Sequence, residues 1–212
     1  MTKLIYIADP MCSWCYGFGP ELVPLLDGVP EISLDIVVGG LRAYNTDTMN
    51  DDTRASMLVH WDHVKESSGL PFTDKAISTD NFIYDTEPAC RAVVTVRTLA
   101  PQATLSAFRK LQHAFYAEGL DITKADILAE ICVDTLNKNG ISIDKQAFLN
   151  TWSSEEIIAS THADFVHTQK WGITGFPSLV MEIGGQLHLV TSGFARTEDV
   201  IAKMQDLVDQ KT

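Results

Sequence analysis

Three features of this chain predict an α/β protein with the element order β-α-β, helical block, β-β-α. Apolar segments of strand length stand near both ends, Leu4-Ile5-Tyr6-Ile7-Ala8 at one and Ser178-Leu179-Val180-Met181-Glu182-Ile183 at the other. Between them, from about Leu41 to Trp171, apolar residues recur with the helical period of about 3.6. Gly184-Gly185 then separates two strand patterns, as a tight hairpin does. With 212 residues, 45% of them hydrophobic, the chain is long enough for one sizeable domain or two small ones around an ordered core.

The first strand stops at Asp9-Pro10, and Cys12 to Asp27 reads as helix with Leu22, Leu25 and Leu26 on its apolar side. Gly17, Gly19 and Pro20 predict a kink or break within it. Ile32-Ser33-Leu34-Asp35-Ile36-Val37-Val38 alternates and then runs apolar, a partly or fully buried strand ended by Gly39-Gly40. A parallel, right-handed crossover is the default for such a unit.

In the helical block, Met57, Trp61 and Val64 form one apolar stripe, and Val93, Val96 and Ala100 a second. Leu105, Phe108, Leu111 and Phe115 form a third, then Ile127, Leu128, Ile131 and Leu136 a fourth. Thr123 with Asp126, and Ser153 with Glu156, have capping-box spacing, and Asp144 is placed to cap a short helix containing Phe148. Asn139-Gly140 is a helix stop and Pro71 marks a loop. After the hairpin partner Gln186 to Thr191, Thr197 is expected to cap a last helix. That helix carries Glu198 and Asp199 in its first turn and turns Val200, Ile201, Met204, Leu207 and Val208 to the core. The expected division is one unit from 1–40 and 172–212, with 41–171 as an inserted helical subdomain.

Cys12-Ser13-Trp14-Cys15 carries the chemistry. Two thiols three residues apart, directly after a strand and at a helix start, have the placement of a dithiol/disulfide couple. A helix beginning near Cys12 would hold the first sulfur over unpaired backbone N–H groups, which favour the thiolate, so Cys12 is the expected nucleophile. Cys15, one turn further in, is placed to attack a mixed disulfide formed at Cys12, and Ser13 and Trp14 set the redox poise. Such a motif can also be half of a zinc site. Cys90 and Cys132, however, have no His or Cys at ligand spacing and read as buried structural thiols, so no metal site is expected. His60 and His63 flank Trp61 at helical spacing, the ordinary pattern of a solvated face. Met11, Trp14, Tyr16 and Phe18 lie beside the thiols. Of these, Met11 and Trp14 are expected to form an apolar rim for a peptide or a small organic disulfide.

Charge and length remove other classes. With 16 Lys+Arg against 28 Asp+Glu, the net charge of −12 disfavours nucleic acid and anionic membrane as partners. No apolar stretch approaches the roughly 20 residues needed to span a bilayer. Met1-Thr2-Lys3-Leu4 runs straight into the first strand without a secretory apolar region, so a cytoplasmic location is expected. In that reducing compartment a dithiol acts as a reductase or isomerase more readily than as a net oxidant.

Trp171-Gly172-Ile173-Thr174-Gly175-Phe176-Pro177-Ser178 precedes the hairpin. Proline is tolerated as the first residue of a strand, and a trans Phe176–Pro177 bond is the default from sequence alone. Together, the strand followed by the Cys12/Cys15 helix start, the large helical insert and Gly175-Phe176-Pro177 resemble the DsbA family of thioredoxin-fold oxidoreductases over the whole chain. Asp9 to Phe18 looks most like its cytoplasmic branch, related to FrnE and the predicted disulfide isomerases. The resemblance implies a thioredoxin fold (β-α-β … β-β-α) with a large all-helical insertion. It implies Cys12 as attacking thiol, Cys15 as resolving thiol and Pro177 as a cis-proline facing them. The backbone of Phe176 would hydrogen-bond an extended substrate, with Ser13, Trp14, Phe176 and Pro177 as substrate contacts. Two positions depart from the pattern. Phe176 is bulkier than the residue many relatives place there, and Tyr6 stands where many thioredoxin-like proteins keep a buried acid. Asp9, the nearest carboxylate in sequence, is expected to cap the following turn, which leaves proton transfer to water.

The expected function is thiol–disulfide exchange on a disulfide-containing protein or small thiol, without a bound cofactor and with glutathione as a candidate electron donor. The alternative is a glutathione-dependent transferase or isomerase, because kappa-class glutathione transferases and 2-hydroxychromene-2-carboxylate isomerases look like the same fold with a similar insert. Those relatives usually carry Ser at the position of Cys12 and lack the second cysteine, so the intact pair argues against them. A non-catalytic metal- or partner-binding protein is the third class.

Overall fold

Thr2–Ala8 forms β1, the centre of a four-stranded sheet whose order is β2-β1-β3-β4, with β2 at Ser33–Val38, β3 at Ser178–Ile183 and β4 at Gln186–Ser192. The computed structural model describes residues 2–209, so the domain limits expected at 1 and 212 lie outside the described residues. β1 runs parallel to β2, with Lys3 opposite Ser33 and Ala8 opposite Val38, and antiparallel to β3. β4 returns antiparallel to β3 with an irregularity between Leu179 and Val180. The hairpin turns on Gly184 (φ 59°) and Gly185 (φ 80°), the left-handed pair that a type I′ turn requires.

β1 reads as an unbroken apolar run because both of its faces are covered. Leu4, Tyr6 and Ala8 enter the main core with Leu179 and Met181, whereas Ile5 and Ile7 join Val180 in a smaller cluster under Trp171, Ile173 and Phe176. The crossover to β2 is two helices, α1 (Ser13–Gly17) and α2 (Gly19–Gly28), divided at Phe18 where the break was expected. Leu22 and Leu25 are buried, and Leu26 is half-buried.

Six α-helices lie between β2 and β3: α3 (Asp51–Ser68), α4 (Glu87–Leu99), α5 (Thr104–His113), α6 (Ala125–Lys138), α7 (Lys145–Trp152) and α8 (Glu155–Lys170), with a 3-10 turn at Pro101–Ala103 before α5 and a π-helical turn at Ala114–Glu118 after it. The centres of the four stripes are buried, with Met57, Leu105, Ile127 and Ile131 half-buried at their edges. Asp144 caps α7 by accepting from Ala147 N at 2.8 Å. Three other expected caps differ. α8 is capped by Ser154, which accepts from Ile157 N at 3.4 Å, because the hydroxyl of Ser153 turns back to Leu149 O at 2.8 Å. α6 begins after Lys124 without a side-chain cap, since the Thr123 hydroxyl donates to Asp121 Oδ1 at 2.6 Å. Thr197 is the first residue of α9 (Thr197–Asp209), and both its hydroxyl and its N–H donate to Glu21 Oε2, at 2.7 and 2.8 Å. A carboxylate from α2 thus holds the start of α9.

β2 is an edge strand, and edge strands need protection from further pairing. Val38 N donates to Asp164 Oδ2 at 3.0 Å, and Arg97 Nη1 donates to Ile36 O at 2.6 Å. Arg97 and Asp164 also pair in two bonds, at 2.7 and 3.0 Å, so one ion pair from α4 and α8 covers this edge. Among the described residues no helix is long and apolar enough to cross a membrane.

Candidate functional site

The chain leaves the carboxyl end of the central strand through a turn that Asp9 builds. Asp9 O accepts from Cys12 N at 3.0 Å and Asp9 Oδ1 accepts from Met11 N at 2.8 Å, the capping role expected of it. Cys12 is then the N-cap of α1, with extended backbone (φ −89°, ψ 118°). Its side chain makes no bond to the first-turn N–H groups, unlike the expectation from sequence; the thiol instead donates to Phe176 O at 3.6 Å. Cys12 and Cys15 are both free thiols, 6% and 1% exposed, so Cys12 is the more reachable. Burial, and next the hydrogen bond and charge of Cys12, push the Cys15 thiol well above its ordinary pKa. Cys15 therefore holds its proton more tightly than an ordinary cysteine does.

The opposite wall is the Phe176–Pro177 peptide, which is cis as the resemblance implied. Pro177 is buried and its carbonyl accepts from Gly193 N at 2.6 Å. The far end of the Phe176 ring packs against Gly39, where an added Cβ would come within 2.2 Å of Cζ. Ser13 is 7% exposed. Trp14 is half-buried between His60, edge-on at 5.9 Å, and Phe194 at 5.5 Å, and Arg196 lies 5.2 Å over the Phe194 ring. Trp14 thus stands at the rim, but Met11 does not. Met11, with Tyr16 and Phe18, is buried in the core, because its carbonyl and side chain face the helical block. Phe194 and Arg196 carry no motif and were not singled out in the sequence.

Behind the thiols lies a buried polar layer that the sequence did not reveal. The hydroxyls of Tyr84 and Tyr116 both donate to Met11 O, the latter at 2.6 Å, and lie 3.4 Å apart. Asp9 Oδ2 accepts from Leu41 N at 2.7 Å and from Cys90 Sγ at 3.4 Å. Burial raises the Asp9 carboxyl against the pull of the Met11 and Leu41 amides. Burial, and then the Asp9 charge, pushes the Cys90 thiol well up. Cys90 thus supports the Asp9 turn that precedes Cys12, whereas Cys132 is a core thiol pushed by burial to about 12. Tyr6 supplies no acid; its hydroxyl donates to Cys15 O at 3.3 Å. His60 and His63 are both exposed, and among the described residues no three His, Cys, Asp or Glu side chains gather as a metal site would require.

The family model of the DSBA-like thioredoxin domain matches residues 4–205. A protein of Nitrosomonas europaea described as a candidate protein disulfide isomerase is 35% identical, with a TM-score of 0.89 over 100% of this chain and 99% of that one. The cytosolic disulfide reductase DsbM from Pseudomonas aeruginosa is 22% identical, with a TM-score of 0.76 over 98% and 99% of the two chains. A 2-hydroxychromene-2-carboxylate isomerase is 15% identical, with a TM-score of 0.67 over 98% and 97%. The last two are likenesses of fold. No curated protein matches the chain.

Proposed function

Because this chain belongs to the DSBA-like thioredoxin domain family, we propose that it exchanges thiols and disulfides through the Cys12/Cys15 couple, on disulfides of proteins or of small thiols. The observation that carries this reading is the inequality of the two thiols: Cys12 reachable at the helix start, Cys15 deeper and held protonated. The Cys12 thiolate attacks one sulfur of a substrate disulfide, forming a mixed disulfide and releasing the first substrate thiolate. Cys15 then gives up its proton, to that leaving thiolate or to water, and attacks Cys12. The second substrate thiol leaves, the substrate has gained two electrons, and Cys12–Cys15 is the new disulfide. Two molecules of a small thiol such as glutathione return the pair to the dithiol. The DsbM structure has also been determined with glutathione, which supports that class of donor.

The resting Cys12 thiol occupies Phe176 O. Once Cys12 is a thiolate it no longer donates, and that carbonyl is free to accept an N–H from an extended substrate, with Trp14 and Ser13 on one side and Pro177 on the other. In the cytoplasm, where the related DsbM works, the couple acts as a reductase or isomerase. Insulin reduction tests the proposal. Cys12→Ser should abolish activity and Cys15→Ser should trap a mixed disulfide, while undiminished activity in both variants would overturn it. Isomerase or conjugating activity with glutathione that survives loss of Cys15 would favour the 2-hydroxychromene-2-carboxylate isomerase type of chemistry instead.

A further inference from the structure

A cavity of about 900 Å³ opens between α5, α6, the start of α2 and the Leu70-Pro71 loop. Tyr16 forms part of its wall, but Cys12 and Cys15 do not line it. Its volume lies within the range of small-molecule sites, roughly 300–1,000 Å³. Leu70, Pro71, Leu105 and Ile131 give it apolar sides.

Its charged groups are mostly taken. Lys110 is bound to Asp134 at 3.0 Å, and His113 faces Glu118 at 3.6 Å. Arg109 differs: it lines the cavity, is exposed, and has no ion-pair or hydrogen-bond partner among the described residues. One turn on, at the i+3 position of the same helix, Gln112 also lines the cavity and is 2% exposed. Its Nε2 is buried and has no hydrogen-bond partner among the described residues. A buried amide donor left unpaired is costly, and native proteins keep few of them. The last side-chain torsion of Gln112 is soft, so the amide of this cavity-lining residue can reorient toward a bound ligand.

We propose that this cavity binds a small amphipathic monocarboxylate. Its carboxylate is held between the Arg109 guanidinium and the Gln112 amide, and its apolar body lies along Leu105, Ile131 and the Leu70-Pro71 loop. Arg109, the one cavity-lining cation without an ion-pair partner among the described residues, selects a single negative charge. Glu118 and Asp134 at the rim, and the net charge of −12, oppose anions of higher charge. The site is independent of the redox reading, since it needs neither thiol.

Titration calorimetry of the intact protein with phenylbutyrate, and with its neutral isostere phenylbutyramide, is the test. The acid should bind at one site and the amide about tenfold more weakly, the margin a charge-assisted hydrogen bond supplies. Arg109→Gln should bring the acid down to the level of the amide. Gln112→Leu should weaken the acid while raising the melting temperature of the unliganded protein, because it removes an unsatisfied polar group. Cys12→Ser should leave binding unchanged. Equal binding of acid and amide, no binding of either at millimolar concentration, or full affinity in Arg109→Gln would each overturn the proposal. So would loss of binding in Cys12→Ser, which would place the ligand at the thiols. Arg109 is exposed and unpaired, so its variant keeps the fold and decides the question even if Gln112→Leu does not fold.

Discussion

A methyl group at position 39 would sit 2.2 Å from Cζ and 2.3 Å from Cε1 of Phe176, closer than atoms approach without one of them moving. The ring that must move belongs to the residue whose carbonyl receives the Cys12 thiol. Gly39→Ala should therefore cost about 1–3 kcal/mol, as overpacking does, and should slow insulin reduction as the wall opposite Cys12 shifts. Denaturation midpoints and the reduction assay check both effects, and an unchanged rate would detach Phe176 from the site. The paired tyrosines make a second case. Tyr84→Phe or Tyr116→Phe removes one of two donors to Met11 O, and each should cost about 1 kcal/mol. The double variant leaves that buried carbonyl without either hydroxyl and should cost more than the sum. A urea double-mutant cycle reads the difference, and simple additivity would mean that the two bonds act separately. Cys12 and Cys15 were legible in the sequence because their relation is local. Gly39 read only as the end of a strand, and Tyr84 and Tyr116 lie 73 and 105 residues from the carbonyl they hold, so no spacing rule reaches them.

Strands and helices were legible wherever one periodicity ran long enough, but their ends depend on which of several polar side chains wins a backbone amide. Ser153 and Ser154 have the same chemistry, and the former is claimed by the last turn of α7, so capping passes to its neighbour. Thr123 is lost to Asp121 in the same way. At α9 the competitor comes from another element. Glu21 of α2 takes the hydroxyl and N–H of Thr197, and its Oε1 accepts from Arg196 at 2.7 Å. Burial alone would raise the Glu21 carboxyl, but the Thr197 donors and Arg196 outweigh it and hold the pKa below its ordinary 4.5. A carboxyl with a folded pKa below its unfolded one adds stability above the unfolded value and loses it as pH falls through the folded value. Glu21→Gln should therefore lower the melting temperature at neutral pH. The gap from the parent protein should close as pH falls below about 4. Melts across that range check it, and a gap that stays constant with pH would show that the carboxylate charge is irrelevant to the docking of α9.

The division into a β-α-β…β-β-α unit and a helical insert follows chain order, yet the contacts that hold the molecule together run across it. Tyr6 of β1 meets Phe108 of α5 edge-on at 5.8 Å, and the main core runs without interruption from Leu4 through Val93 and Phe115 to Leu179. Polar ties reinforce it. Tyr84 and Tyr116 hold the turn before Cys12, Leu41 N is bound to Asp9, and the Arg97–Asp164 pair covers the edge of β2 from α4 and α8. If 41–171 unfolded alone it would strip one face of the sheet, leave Met11 O without its donors and uncover the β2 edge, so a half-folded state has little to stabilise it. The reduced protein should therefore unfold in one cooperative transition, with calorimetric and van't Hoff enthalpies in agreement. Circular dichroism in the far and near ultraviolet should give the same midpoint. An earlier transition confined to the helical signal would show that the insert is an independent folding unit. The geometry of the Cys12/Cys15 cleft would then have to survive without its support, which the bonds from Tyr84, Tyr116 and Leu41 argue against.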